Sequence, residues 1–287
     1  MTHLPELFDL TGRVAVVTGG AGLLGAQFAR TLAEAGARVV VADIDAEAAR
    51  TLAASIDANL KSQEEGDPLP TEKIISLHLD VTSPGSVSAL VDVVLTRFSR
   101  LDILVNSAAL DPKFDPAHLL VAERAPSAFE QFPLEAWKQA LDVNLTGLFL
   151  CCQAASQPML AQGGGVIINI CSIYGLVGPD QRIYQKRGQT PRYKPVYYSV
   201  TKAGVLGLTR YLATYYAGKN IRVNALTPGG VYADHTDEFV RAYSARSVLG
   251  RMAQPDELNG ALLFLASDAS AYMTGANLVV DGGWTAW

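Results

Sequence analysis

Tyr198 and Lys202 stand four residues apart in Tyr198-Ser199-Val200-Thr201-Lys202, opening a helical pattern that runs to about Ala217. Four residues is about one helical turn, so the two side chains share a face. A phenol with an ordinary pKa of about 10 is roughly one part in a thousand ionised at neutral pH. A nearby ammonium favours the phenolate, and each pKa unit gained corresponds to about 1.4 kcal/mol. The pair therefore suits proton transfer, with Tyr198 as base in one direction and acid in the other. Alone, the spacing also fits a surface tyrosine beside a lysine. Ser172 changes the reading: it directly follows an apolar run, in Ile170-Cys171-Ser172. Ligands of open α/β sheets sit at the C-terminal ends of strands, where a hydroxyl can hydrogen-bond a substrate oxygen.

A second group of residues suits a dinucleotide. The apolar run 13–18 leads into Thr18-Gly19-Gly20-Ala21-Gly22-Leu23-Leu24-Gly25 and then a helical pattern over 26–35. Glycines let the chain turn tightly and bring amides against a pyrophosphate, whose charge a helix N-terminus also favours. This places Gly19, Gly22, Leu23, Leu24 and Gly25 at a cofactor. Asp43 stands 18 residues beyond Gly25, at the end of the next apolar run, where a carboxylate can bond a ribose 2′-hydroxyl. It would repel a 2′-phosphate, so NAD is expected over NADP. Asp43 also fits an N-cap for a helix near Asp45. Asp80, in Leu79-Asp80-Val81, fits either a helix cap or an adenine contact.

These residues need a scaffold that brings strand ends together. Seven apolar runs, 13–18, 38–43, 74–79, 102–106, 166–171, 221–226 and 277–280, alternate with helical patterns. That order predicts an α/β fold: a doubly wound, mostly parallel sheet of about seven strands with helices on both faces. The 287 residues, 49% hydrophobic, suffice for a single domain, 1–287, with a substantial core. Segments 57–72, 111–133 and 179–195 are rich in Pro, Gly and charge and read as insertions at the surface.

A net charge of −5 and a pI near 5.4 give no field that attracts nucleic acid or an anionic membrane. The uncharged stretch 143–179 is broken by Asn144, Gln153, Gln157, Pro158 and Gly163 to Gly165, so a buried helix and strand fit it better than a bilayer span. The N-terminus lacks the basic flank and apolar run of a secretory signal, which makes the cytoplasm the expected location. Cys151, Cys152 and Cys171 have no CxxC spacing and the histidines no HExxH arrangement, so core thiols and no metal are expected.

Further matches follow in chain order: Asn106-Ser107-Ala108-Ala109, Asn144 in Asp142-Val143-Asn144, Pro228-Gly229, and Asp281-Gly282-Gly283. Over nearly its full length the sequence resembles the short-chain dehydrogenase/reductase superfamily, of single-domain type with a Rossmann fold. The resemblance implies hydride transfer between NAD(H) and a secondary alcohol or ketone. It also implies a catalytic tetrad of Asn144, Ser172, Tyr198 and Lys202, with Asn144 holding a relay water and Lys202 also binding the nicotinamide ribose. Asp80, Val81, Asn106, Ala108, Pro228, Gly229 and Val231 join the cofactor contacts. Leu23 stands where the single-domain branch usually has a glycine, and the glycine spacing matches the extended branch. An NAD-dependent epimerase or dehydratase is therefore the alternative enzyme, and a non-catalytic dinucleotide sensor the alternative outside enzymology.

Segment 179–195 carries Arg182, Lys186, Arg187, Arg192 and Lys194 against Asp180, a local charge of +4. Arginine binds carboxylate or phosphate bidentately, so an anionic sugar-derived substrate is expected, with Tyr174, Arg182, Tyr184 and Arg192 as contacts. A solvated loop or a subunit contact explains the same charges. The run Ser172-Ile173-Tyr174-Gly175 with Pro179-Asp180 and Ile183-Tyr184 is similar to oxidoreductases of flagellin glycosylation and related sugar pathways. Small and apolar residues on the helix of Tyr198, namely Val200, Ala203, Gly204, Gly207 and Leu208, suit close packing against a second copy. A homotetramer is the first expectation and a dimer the second.

Overall fold

The computed structural model describes residues 3–63, 73–111, 128–185 and 192–287. Seven parallel strands, β1 (Val14–Thr18), β2 (Arg38–Asp43), β3 (Ile74–His78), β4 (Ile103–Asn106), β5 (Gly165–Ile170), β6 (Ile221–Pro228) and β7 (Asn277–Val280), form one sheet ordered β3-β2-β1-β4-β5-β6-β7. This is the doubly wound Rossmann arrangement expected from the alternating pattern. Each expected strand is present, with ends that differ by no more than two residues. The strand order reverses between β1 and β4, the switch point beside which such sheets hold ligands.

The helices are α1 (Leu4–Leu7), α2 (Leu23–Glu34), α3 (Ala46–Gln63), α4 (Pro84–Phe98), α5 (Leu134–Leu141), α6 (Leu148–Ala161), α7 (Val196–Tyr215), α8 (Asp237–Ser244) and α9 (Asn259–Ala266). They cover both faces because the central strands are apolar on both sides. Val14 and Val16 of β1 face a layer built with α4, α6 and α7. Ala15 and Val17 face the opposite layer, built with Phe28 and Leu32 of α2, Ala49 and Ile56 of α3, and Leu262 of α9. The period-2 alternation of strand side chains thus feeds two separate cores.

The excursion expected at 57–72 needs correction at its start, since α3 continues to Gln63. Ala49, Ala53, Ile56 and Leu60 form one apolar stripe on the core, and that helical period outweighs the polar composition of 57–63. Residues 64–72 lie outside the described residues. Of segment 111–133, residues 112–127 also lie outside them, and Phe129–Gln131 form a short 3-10 turn leading into α5. Segment 179–195 contains a 3-10 turn, Gln181–Tyr184, capped by the Asp180 side chain; residues 186–191, with Lys186 and Arg187, lie outside the described residues.

The uncharged stretch is α6 followed by β5, as expected, and among the described residues no helix is long and apolar enough to cross a membrane. Its three cysteines are unpaired and buried. Burial pushes the Cys151 thiol up to about 12, so it stays protonated and inert.

Candidate active site

The C-terminal ends of the strands open into one cleft of about 1960 Å³. The glycine turn follows β1, Asp43 ends β2, Asp80 follows β3, Ala108 follows β4, Ser172 follows β5 and Gly229 follows β6, and all of them line it. A parallel sheet forces this convergence because every strand ends on the same side.

At the switch point the glycine turn is held tightly. Gly19 has φ +61°, and a Cβ there would lie 2.6 Å from the Ala108 Cα. A Cβ on Gly25 would lie 2.1 Å from the Gly19 oxygen. Thr18 ties the turn to the end of β4, its Oγ1 accepting from the amides of Ser107 (3.2 Å) and Ala108 (3.3 Å). The first intrahelical bond of α2 runs from Ala26 N to Gly22 O at 2.9 Å, so the amides of Leu23, Leu24 and Gly25 precede the helix ladder, where an anion is favoured. Leu23 and Leu24 are partly buried against the core and also line the cleft beside the glycine turn.

Asp43 places its carboxylate between two backbone donors, Ala21 N at 3.0 Å and Asp45 N at 3.0 Å. The N-cap role belongs to Asp45, whose Oδ1 accepts from Glu47 N and Ala48 N. Asp80 accepts from the amide and hydroxyl of Thr82, and Ser83 caps α4. Neither Asp43 nor Asp80 is a helix cap, and both face the cleft. The chain thus presents free helix-N-terminal amides, a carboxylate one strand away and glycines too crowded for any side chain. That donor set fits a nicotinamide dinucleotide.

At the other end of the cleft, Ser172 and Tyr198 line the same wall, and the Ser172 hydroxyl accepts from Tyr174 N at 3.2 Å. Lys202 lies buried, with Nζ 5.8 Å from the centre of the Tyr198 ring. Burial pushes the Tyr198 phenol well above its usual range, Asp111 adding to the rise and Ser172 opposing it. Burial likewise pushes the Lys202 ammonium down. Desolvation works against both charged forms, so the free chain holds Tyr198 protonated. Burial is a cost that the sequence expectation, a phenolate favoured by nearby positive charge, did not include.

Asn144 sits in a π-helical turn, Asp142–Gly147, between α5 and α6. Its Oδ1 accepts from Leu110 N at 2.6 Å, and its Nδ2 donates to Leu110 O and to Thr201 Oγ1, each at 3.3 Å. This turn carries Asn144 off the regular helical path, and such π-turns recur at functional sites. Asn144 thereby fastens the end of β4 to α7.

Asn106 and Arg182 stand elsewhere. Asn106 is buried beneath the cleft, its Nδ2 donating to Asn169 Oδ1 at 2.9 Å; it links β4 to β5. Arg182 projects outward with its side chain 84% exposed and pairs with Asp180 at 2.8 Å. Tyr174, Tyr184 and Arg192 do line the cleft, as do Val81, Pro228 and Val231. Tyr184 donates to the Tyr174 hydroxyl at 2.9 Å, and burial pushes the Tyr174 phenol up to about 12.

Sequence reasoning did not single out Asp111, or the His235, Phe239, Tyr243 and Trp284 rings beyond Tyr184. Asp111 pairs with Lys194 at 2.8 Å, and the Lys194 ammonium lies 3.9 Å from the centre of the Tyr198 ring. His235 stacks on Phe239 at 4.9 Å, Phe239 lies against Tyr184, and Tyr243 stacks on Trp284 at 4.2 Å. The place of Asp111, just past a strand end, was the available signal.

The family model described as enoyl-(acyl carrier protein) reductase matches residues 20–285. A D-threitol dehydrogenase of Mycolicibacterium smegmatis is 36% identical, with 99% of each chain covered. A cis-4-hydroxycyclohexanecarboxylate dehydrogenase of Sinomonas cyclohexanicum is 39% identical, over 96% of this chain and 97% of the other. The chain is a short-chain dehydrogenase/reductase. It is accordingly an oxidoreductase acting on hydroxyl groups, in a superfamily that binds nicotinamide dinucleotides. Among solved structures, the dehydrogenase is similar to a gluconate 5-dehydrogenase from Burkholderia cenocepacia in complex with NADP and tartrate, with TM-score 0.82, 32% identity, and 99% and 100% of the chains covered.

Proposed function

We propose that the chain is an NAD-dependent dehydrogenase that interconverts a secondary alcohol and a ketone on a sugar-derived or polyol substrate, with Tyr198 as general acid and base. The observation that carries this reading is that Ser172, Tyr198 and buried Lys202 stand together on the wall of one cleft, the Lys202 ammonium 5.8 Å from the centre of the Tyr198 ring.

Gly19, Gly22, Leu23, Leu24, Gly25, Asp43, Asp80, Val81, Ala108, Pro228, Gly229 and Val231 would hold the dinucleotide. When bound it supplies the hydride acceptor for oxidation, or the donor for reduction. Ser172 orients the substrate oxygen through its hydroxyl. Tyr198 removes the alcohol proton in oxidation and returns it in reduction. Lys202 and the positive charge of the oxidised cofactor both favour the phenolate, offsetting the burial that raises it. Asn144 keeps Leu110 and Thr201 in register around the tyrosine. The Asp43 carboxylate supports NAD, since a 2′-phosphate would meet like charge; the gluconate dehydrogenase with NADP makes this preference a matter for measurement.

The relative named for threitol and the neighbour named for gluconate support a polyhydroxylated substrate. Arg192 on the cleft wall favours a second reading, in which that substrate carries a carboxylate or phosphate. Following NADH formation across neutral polyols, sugar acids and sugar phosphates tests both. The proposal expects turnover of a polyol or sugar acid, and Arg192→Ala raises KM for the anionic members alone. No turnover of any hydroxylated substrate contradicts the first reading, and an equal KM change for neutral and anionic members contradicts the second.

We also propose a homo-oligomer, a tetramer first and a dimer second. Val200, Ala203 and Gly207 are exposed on α7, with Tyr211 60% and Tyr215 64% exposed on the same helix. Light scattering on the purified chain checks it, and a monomer contradicts it.

A further inference from the structure

We propose that Tyr243 is a positioning residue for the nicotinamide end of the dinucleotide, acting through the amide of Gly230. The proposal rests on the dinucleotide reading above and goes beyond it by naming the side chain that sets the seat at the end of β6.

The strand order divides the cleft between the two ends of such a ligand. Asp43 ends β2 and the glycine turn follows β1, whereas Ser172 follows β5 and Gly229, Gly230 and Val231 follow β6, all lining the cleft. Hydride transfer needs the nicotinamide beside Ser172 and Tyr198. A dinucleotide whose pyrophosphate lies at the glycine turn therefore brings that ring to residues 228–231.

This segment is fastened mostly by main chain. The Gly229 amide donates to Val280 O at 2.9 Å, the Tyr232 amide to Ala253 O at 2.8 Å, and Gly230 O accepts from Ala253 N at 3.0 Å. The Gly230 amide instead donates to a side chain, the Tyr243 hydroxyl. A Cβ on Gly230 would run into the Tyr243 ring, so the phenol lies directly against the main chain that lines the cleft.

Tyr243 is buried on α8 and is itself held from behind. Its ring stacks on Trp284 at 4.2 Å. Trp284 sits in a turn built by the Asp281-Gly282-Gly283 motif: Asp281 accepts from Gly283 N at 2.8 Å and from Thr285 N at 2.9 Å. Gly282 O accepts from Leu249 N and Ser247 Oγ, each at 3.0 Å, which ties the same turn to the chain just past α8. The motif thus seats Trp284, Trp284 backs Tyr243, and Tyr243 sets Gly230. A seat fixed in this way is organised before the ligand arrives.

Phenylalanine at 243 keeps the ring on Trp284 but offers no acceptor. A partly buried amide that loses its partner shifts to find another, and the shift falls on the segment beneath the nicotinamide. Asp43, four strands away in the sheet, is untouched.

The test measures Kd for NADH and for ADP-ribose, which lacks the nicotinamide. In Tyr243→Phe the ADP-ribose Kd should stay within about twofold of the unaltered protein while the NADH Kd rises about fivefold, the size expected for one hydrogen bond. A merely structural role weakens both ligands alike, so an equal change in the two, or none for NADH, overturns the proposal. A second measurement needs no variant to fold. Hydrogen exchange of the peptide that contains Gly230 should slow on adding NADH to the unaltered protein and slow much less with ADP-ribose; equal slowing by both overturns the proposal. Failure of the underlying reading shows differently: neither ligand then binds the unaltered protein, and both proposals fall together.

Discussion

Lys202 donates from its buried Nζ to the main-chain oxygen of Ile170 at 2.9 Å. Ile170 ends β5 two residues before Ser172, so this bond fixes α7 against the strand end that carries the serine. The ammonium is thus held as a positive charge near the Tyr198 ring even though burial depresses its pKa.

Removing that charge has a definite sign. Burial already raises the Tyr198 phenol, and loss of a nearby cation raises it further. In Lys202→Met the ascending limb of the pH profile for alcohol oxidation should move to higher pH by about one unit or more, about 1.4 kcal/mol per unit. An unmoved limb in a variant that still turns over would mean that Lys202 does not act on the phenol.

Asp43 should set the choice of dinucleotide. Asp43→Asn keeps an acceptor for only one of the Ala21 and Asp45 amides, which bond different oxygens of Asp43, and removes the negative charge. The ratio of kcat/KM for NAD over NADP should fall by about tenfold or more, or ~1.4 kcal/mol. Steady-state kinetics with both cofactors measures it, and an unchanged ratio would assign Asp43 to the turn alone.

The Asp180 pair should be visible as acid sensitivity. Asp180 accepts from Arg182 on one side and from Arg246 at 2.6 Å on the other, and the Arg182 side chain above all holds its carboxyl well below the usual range. A depressed folded value gives stability that is full above the unfolded value of about 3.9 and is lost as pH falls through the folded one. Asp180→Asn should lower Tm at pH 7 by about 2–4 °C, the size that ~1 kcal/mol gives in a chain of this length. The gap should stay flat down to about pH 5 and close below about pH 4. A gap that widens on acidification would contradict the linkage.

The scaffold was legible because its signals are local. The apolar runs that became β1 to β7 are bounded by glycine and polar residues, and the turn Gly19 to Gly25 stands between a strand and a helix as it must. The proposed tetrad was readable as a set for a related reason: Ser172, Asn144, Tyr198 and Lys202 occur in ordered short motifs, and the structure brings Ser172, Tyr198 and Lys202 to one cleft. What escaped depends on partners distant in sequence. Nothing near Asn106 shows that its amide turns to Asn169 across the sheet. Arg182 and Lys194 look alike in a basic segment, yet one pairs outward with Asp180 and the other inward with Asp111, 83 residues away. Composition gave 57–63 as loop because its polar residues outnumber the single stripe that seats α3 on the core.

The central claim is that the Tyr198 hydroxyl moves the proton. The most direct measurement is turnover of Tyr198→Phe on the best alcohol found, with NAD binding and Tm recorded on the same preparation. A loss of about 10²–10⁴-fold in kcat, with dinucleotide affinity and Tm near those of the unaltered protein, is the predicted result. Turnover within a few fold of the unaltered protein would contradict it.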